Sequence, residues 1–210
     1  MRKTTSLALA TVLAAAAVLA ACGSDDPAPQ PQSAPATATP APTPRPELHT
    51  TSSAVADPAR IRIPSIGVDA QIVPVGLTPN GHMETPSFGL AGWYSPKPQP
   101  GQAPAPRPGE VGPAVIAGHV DGRSRPDVFY RLKELTKGAK IIIVDKKGKI
   151  YEFAVERKRR TPKTELPVEE IWSATKEPTL RLITCGGEFD RATGHYTDNW
   201  TVFATAVRAA

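Results

Sequence analysis

The chain has 210 residues, 24 of them proline, and a formal net charge of +5. Most of the prolines fall in the first half and few aromatic residues precede Trp93, so the core-forming sequence amounts to one domain of about 150 residues. The densest basic run, Arg157 to Arg160, has neither an aromatic stacking surface nor a nucleic-acid motif beside it; it reads as a solvated strand end, which excludes a nucleic-acid binder.

The N-terminus reads as a targeting segment spanning residues 1–22. Arg2 and Lys3 precede a small-residue apolar run from Leu7 to Ala21 that ends in Leu19-Ala-Ala-Cys22, the charged and apolar regions of an export signal. Cys22 followed by Gly23 and Ser24 resembles a bacterial lipobox, which implies cleavage before Cys22 and a lipid on its sulfur. The rival reading is an uncleaved signal anchor, short for a span that needs about 20 apolar residues. Both readings put the body of the protein on the outer face of the cell membrane. Residues 23–58 are Ala, Pro, Thr, Gln and Ser with almost no large apolar side chain. Such a segment cannot offset its ordering entropy, so it reads as a disordered tether able to reach on the order of 100 Å.

The folded region is expected over residues 59–210. Arg60-Ile-Arg-Ile63 alternates, Pro64 and Gly67 punctuate, and Val68 to Leu77 supplies a second strand-like run before the Asn80-Gly81 turn. Met83 to Tyr94 reads as a short turn or helix on the sheet, and Ser95 to Gly109 as an exposed Pro-rich loop. Ala114 to Ala117 is a short buried strand that exits at Gly118 and His119. The spacing of Val128, Leu132 and Leu135 predicts one helical stretch over Asp127 to Leu135. Ile141 to Asp145 and Lys149 to Val155 flank a Lys146-Lys-Gly148 turn as a hairpin. A short helix follows from Pro167 through Trp172. Leu180, Leu182 and Thr184 then alternate with Arg181, Ile183 and Cys185, predicting a strand that ends at the thiol, a polar loop, and a second strand from Trp200.

Only two cysteines exist, so a lipidated Cys22 leaves Cys185 without a partner. An unpaired thiol in an exported protein is either inert filler or reactive. A free thiol has a pKa of about 8.5 and needs a base or cation beside it to act at neutral pH. His119, at another strand exit, can move the proton, and an Arg just past the Cys can stabilise an oxyanion. His82 and His195 are weaker candidates for the base; Asp121 and Asp190 could orient His119 or Arg191, but better suit turn or capping roles. No cluster at metal-ligand spacing appears, so neither metal nor cofactor is expected.

At these residues the chain resembles the sortase transpeptidases. Ile116-Ala-Gly-His119 looks like the family's strand-end His segment, Leu182-Ile-Thr-Cys185 like its Thr-Cys signature, and Arg60 to Val68 like its opening strand pair. Cys185-Gly-Gly-Glu-Phe-Asp-Arg191 with Gly194 to Asn199 is most similar to class F sortases of high-GC Gram-positive bacteria. The resemblance implies a mainly β fold, a closed barrel of about eight strands with short helices. It also implies that Cys185 cleaves an LPXTG-type sorting signal through a thioester, which an amine of the peptidoglycan precursor resolves. His119 would serve as acid and base, Arg191 would hold the oxyanion, and Thr184 would sit at the substrate. Leu166, Pro167, Ile171 and Trp172 would line the Leu-Pro pocket, or pack as ordinary core. The stretch His195 to Trp200, where many sortases carry their Arg, holds none.

Two other readings fit the residues. An L,D-transpeptidase is also an exported β-rich Cys enzyme, but the Gly pair after Cys185 and the absence of a His just before it argue against it. A non-catalytic lipoprotein binding wall peptides would keep Cys185 buried and inert.

Overall fold

The computed structural model describes residues 54–122 and 125–207. The expected signal segment, Cys22 and most of the expected tether lie outside the described residues. Among the described residues no helix is long and apolar enough to cross a membrane.

Strands β1 (Pro58–Ile63), β2 (Val68–Val75), β3 (Leu90–Tyr94) and β4 (Gly112–Gly118) form one half of the sheet. Two-residue strands β5 (Asp121–Gly122) and β6 (Arg125–Pro126) make a small separate ribbon. The other half comprises β7 (Lys140–Asp145), β8 (Ile150–Pro162), β9 (Pro178–Asp190) and β10 (His195–Ala206), with helix α1 (Val168–Trp172) between β8 and β9. The eight long strands close into a barrel in the order β1-β2-β3-β4-β9-β10-β8-β7. The mainly β, eight-stranded barrel expected from the sequence is therefore the observed architecture.

Strand periodicity explains the core. In β1 and β2, Ile61, Ile63, Val68, Ala70 and Ile72 point inward while Arg60, Arg62, Asp69 and Gln71 face solvent. Every residue of β4 is buried, because Ala114 and Ile116 face the barrel interior while Val115 lies under α1. Such a doubly covered strand reads as a continuous apolar run rather than an alternation.

Helix α1 is too short to stand by itself. Ile171, fully buried against Val115, Ile183 and Phe203, holds it on the barrel wall, a burial worth about 1.5–3 kcal/mol. Glu170 also meets Arg157 and Arg159 at 2.8 and 2.5 Å, but these pairs are solvent-screened and secondary to the apolar contact.

Four local expectations are corrected. Residues Met83 to Tyr94 include a full strand, β3, because pairing with β2 and β4 supplies the hydrogen bonds that the short Gly-rich sequence does not advertise. The stretch from Asp127 to Leu135 is turns and a 3-10 segment at Leu132–Glu134 rather than a single helix. Its buried residues are Phe129, Leu132 and Leu135, a spacing of three that matches three residues per turn. Strand β8 runs on past Val155 to Pro162, so the exposed Arg157 to Arg160 run lies inside a strand paired with β10. Finally, β9 does not stop at Cys185 but continues to Asp190. Gly187, at φ +85°, takes a conformation other residues avoid, and the β9–β10 register shifts beside it, between Tyr196 and Asp198. The Gly pair is a bulge within the ladder, not a strand end.

Candidate active site

Strands β4 and β9 are parallel neighbours, with Ala117 opposite Ile183. Carrying that register two residues further sets His119 opposite Cys185, on adjacent chains whose spacing is about 4.8 Å. Parallel pairing means that both chains leave the barrel at the same end. The two residues are 66 positions apart in sequence but neighbours by topology. Thr184 is buried, and its hydroxyl donates to the Gly118 carbonyl at 2.8 Å, tying the strands together one residue below the pair.

Cys185 is free and half-buried. It opens onto a cleft of about 1100 Å³ whose lining includes His119, His82, His195, Lys163, Phe189 and Tyr196. Arg181, Ile183 and Cys185 share the outer face of β9, so the row leading to the thiol begins beneath α1. Three histidines line the cleft, yet no group of His, Cys, Asp or Glu among the described residues is placed to hold a metal ion.

His119 is gripped by the segment that precedes β3. Its Nε2 donates to the Pro86 carbonyl at 2.9 Å, leaving Nδ1 as the acceptor of the neutral ring. The Phe88 ring stacks on it at 4.4 Å and 28°. Asp127 anchors this strap by accepting from the Gly89 N–H at 2.9 Å. Gly122 leaves room for Phe88, since a Cβ there would stand 1.9 Å from the ring. Gly122→Ala is therefore expected to push Phe88 off the imidazole. NMR would read this as loss of the ring-current shift of the His119 ring protons, with little change in Tm because Phe88 is 49% exposed. Unchanged His119 resonances in that variant would mean that Phe88 does not hold the ring.

Tyr196 spans the mouth. Its hydroxyl donates to Asp121 Oδ2 at 2.5 Å, and its ring meets Phe189 edge-on at 5.2 Å. The hydrogen bond to Asp121, with burial next, pushes the Tyr196 hydroxyl up to about 12. The ordinary value is about 10, so the contribution of this bridge is complete below about pH 10 and is lost as pH climbs toward the folded value. At neutral pH the phenol stays a donor.

The other sequence candidates fall in different places. Arg191 stands at the exposed turn joining β9 to β10 and does not line the cleft, although Gly194 and His195 of the same hairpin do. Leu166, Ile171 and Trp172 form a second apolar cluster under α1 with Tyr94, Val115, Ile183 and Phe203, and half-buried Pro167 precedes the helix. That cluster flanks the row to Cys185 rather than lining the cleft, which its segment reaches through Lys163. Trp172 Nε1 and Arg181 Nε are buried there without hydrogen-bond partners among the described residues. Desolvation, then the nearby Arg157, lowers the pKa of Arg181. Asp190 caps the hairpin turn, accepting from Ala192 N–H and the Thr193 hydroxyl. Asp121 accepts from the Tyr196 hydroxyl. Pro86, Phe88 and Tyr196 went unmarked in the sequence, where only their aromatic or Pro identity was visible.

Fold and site together define a closed β-barrel protein that carries a free thiol and an imidazole in one cleft. The chain belongs to the sortase family, whose domain matches residues 61–207. Among solved structures it is similar to sortase C-1 from Actinomyces oris, at 19% identity and TM-score 0.55, covering 72% of this chain and 74% of that one. It is also similar to the Clostridium perfringens sortase D5 transpeptidase, at 22% identity and TM-score 0.52, covering 72% and 79%. Sortase A of Listeria monocytogenes aligns at 20% identity and TM-score 0.50, covering 74% and 88%. No curated protein matches the chain.

Proposed function

We propose that this chain is a sortase of class F type that works as a cysteine transpeptidase on the outer face of the cell membrane, held there through Cys22 or an uncleaved signal anchor. The observation that carries the reading is that Cys185 and His119 lie at the same end of two parallel neighbouring strands and line one cleft. In the first half-reaction the Cys185 sulfur attacks the Thr carbonyl of an LPXTG-type signal. The thiol proton passes to His119 Nδ1 as the C–S bond forms, and His119 gives that proton to the leaving amine as the Thr–Gly C–N bond breaks. In the second, an amine of the peptidoglycan precursor attacks the thioester. The new C–N bond forms as C–S breaks, the amine's proton passes to His119, and the departing thiolate takes it back to restore the thiol.

Arg191 is assigned to the oxyanion. Its place on the hairpin that frames the cleft supports this, on the condition that substrate draws the turn inward. The apolar cluster of Leu166, Ile171 and Trp172, with Pro167 ahead of the helix, supports the α1 segment as the wall that receives the apolar part of the signal. Thr184 acts from below by fixing Gly118, and so the exit of His119.

The test is mass spectrometry of the chain mixed with LPXTG peptides and an amine. A peptide-sized adduct on Cys185 and an amine-capped product are expected. Arg191→Ala is expected to lower kcat/KM about a hundredfold; activity equal to wild type would remove Arg191 from the site. No adduct with any sorting peptide, together with a thiol that alkylates only after unfolding, would leave the non-catalytic wall-binding reading in its place.

A further inference from the structure

Cys185 borders two cavities. Besides the large cleft, it lines a pocket of about 200 Å³ with Asp121, Tyr130, Lys133, Tyr196 and Trp200. Val120, Asp121, Cys185 and Tyr196 line both cavities, and the Tyr196–Asp121 hydrogen bond belongs to this shared wall. A group bonded to the sulfur is thus open to approach from two sides.

The two spaces differ in what they accept. About 1100 Å³ suits an extended peptide, whereas about 200 Å³ falls below the roughly 300 Å³ at which drug-sized ligands are held. The small pocket has room only for the end of a molecule. Its lining also carries opposite charges. Asp121 uses Oδ2 for Tyr196, and Oδ1 has no hydrogen-bond partner among the described residues. Lys133 is solvent-exposed and makes no ion pair among the described residues; its Nζ lies 5.5 Å from the centre of the Tyr130 ring, which lines the same pocket. Trp200 and Tyr196 add aromatic faces. A carboxylate and an ammonium group in one small pocket match a ligand end bearing both an amine and a carboxylate.

We propose that this pocket is the acceptor subsite, and that it selects a primary amine carried a few atoms from a carboxylate. The inference rests on the transpeptidase reading and names the acceptor for it. Asp121 Oδ1 holds the incoming ammonium beside Cys185, and Lys133 holds the carboxylate. After one proton is lost to water the free amine attacks the thioester carbon from the pocket side, while the donor peptide keeps the cleft. The remaining bond changes are those of the second half-reaction above.

Two measurements on the purified chain test this. The first needs no acyl chemistry. Glycine, glycinamide and acetate are titrated into the Cys185→Ala chain while the indole N–H of Trp200 is followed by NMR. Glycine is expected to shift it saturably and more tightly than glycinamide or acetate, and Lys133→Glu is expected to weaken glycine about tenfold or more. The second compares glycine and glycinamide as acceptors on a preformed Cys185 thioester. In Lys133→Glu the KM for glycine rises about tenfold, that for glycinamide does not rise, and the preference reverses. The more conservative Lys133→Ala serves if the charge reversal perturbs the fold. Equal treatment of glycine and glycinamide by wild type, or shifts confined to the His82 and His195 side, overturns the subsite. Absence of any thioester overturns the transpeptidase reading instead, while the titration still decides whether the pocket takes an amino-acid-like end.

Discussion

Cys185→Ala is expected to abolish the peptide adduct and to lower transfer by on the order of 10⁴-fold or more, since a nucleophile removed from a catalytic unit leaves only binding and electrostatic help. His119→Ala is expected to cost about 10²- to 10⁴-fold, the ordinary worth of a positioned proton carrier. The two losses should not add, because the thiol and the imidazole act on one proton. A double variant is expected to be about as inactive as Cys185→Ala alone. Single-turnover mass spectrometry separates the roles. His119→Ala should slow the appearance of the Cys185 adduct, whereas Cys185→Ala should show none. An adduct that persists on the Cys185→Ala chain would move the chemistry to another residue. The geometry behind the expectation is the parallel register of β4 and β9, with Thr184 tied to Gly118 beneath the pair.

Phe129→Ala is expected to destabilise the barrel by about 3–5 kcal/mol, the usual cost of emptying a large aromatic site. That is a large share of the roughly 5–15 kcal/mol that holds a domain together. Phe129 is fully buried in the main core, and its ring lies so near β4 that a Cβ on Gly118 would stand 2.7 Å from it. Its backbone N–H also donates to the His119 carbonyl at 2.9 Å. The cavity would therefore open directly under the His119 exit, and activity should fall along with stability. Urea unfolding would show a lower midpoint at unchanged slope. Phe129→Leu should recover much of both losses, and equal stability of the Ala variant with wild type would mean that the site closes over the gap.

Much of the barrel was legible because its signals are local. Alternation in Arg60 to Ile63 and in Val68 to Ile72, the apolar run of β4, and the Lys146 to Gly148 turn each depend on a few neighbouring residues. Where the sequence misled, a distant partner had decided the outcome. Strand β3 exists because β2 and β4 flank it. The Gly pair after Cys185 carries the local mark of a loop, but β10 pairs across it, and the indole of Trp200 lies where a Gly186 side chain would be.

The sequence by itself determined the residue types that chemistry needs, a thiol at 185 and an imidazole at 119, and the alternation that makes most of their strands. It also carried the family likeness of those segments. Only the tertiary structure decided which groups surround them. That Phe88 and Pro86 hold His119, that Tyr196 reaches Asp121 75 residues away, that Arg191 sits on an exposed turn, and that Cys185 faces a second pocket with Lys133 are all long-range facts. Strand periodicity is set by the backbone geometry of each segment alone. Side-chain neighbours across a closed barrel depend on strand order and register, which are fixed by burying all eight strands at once.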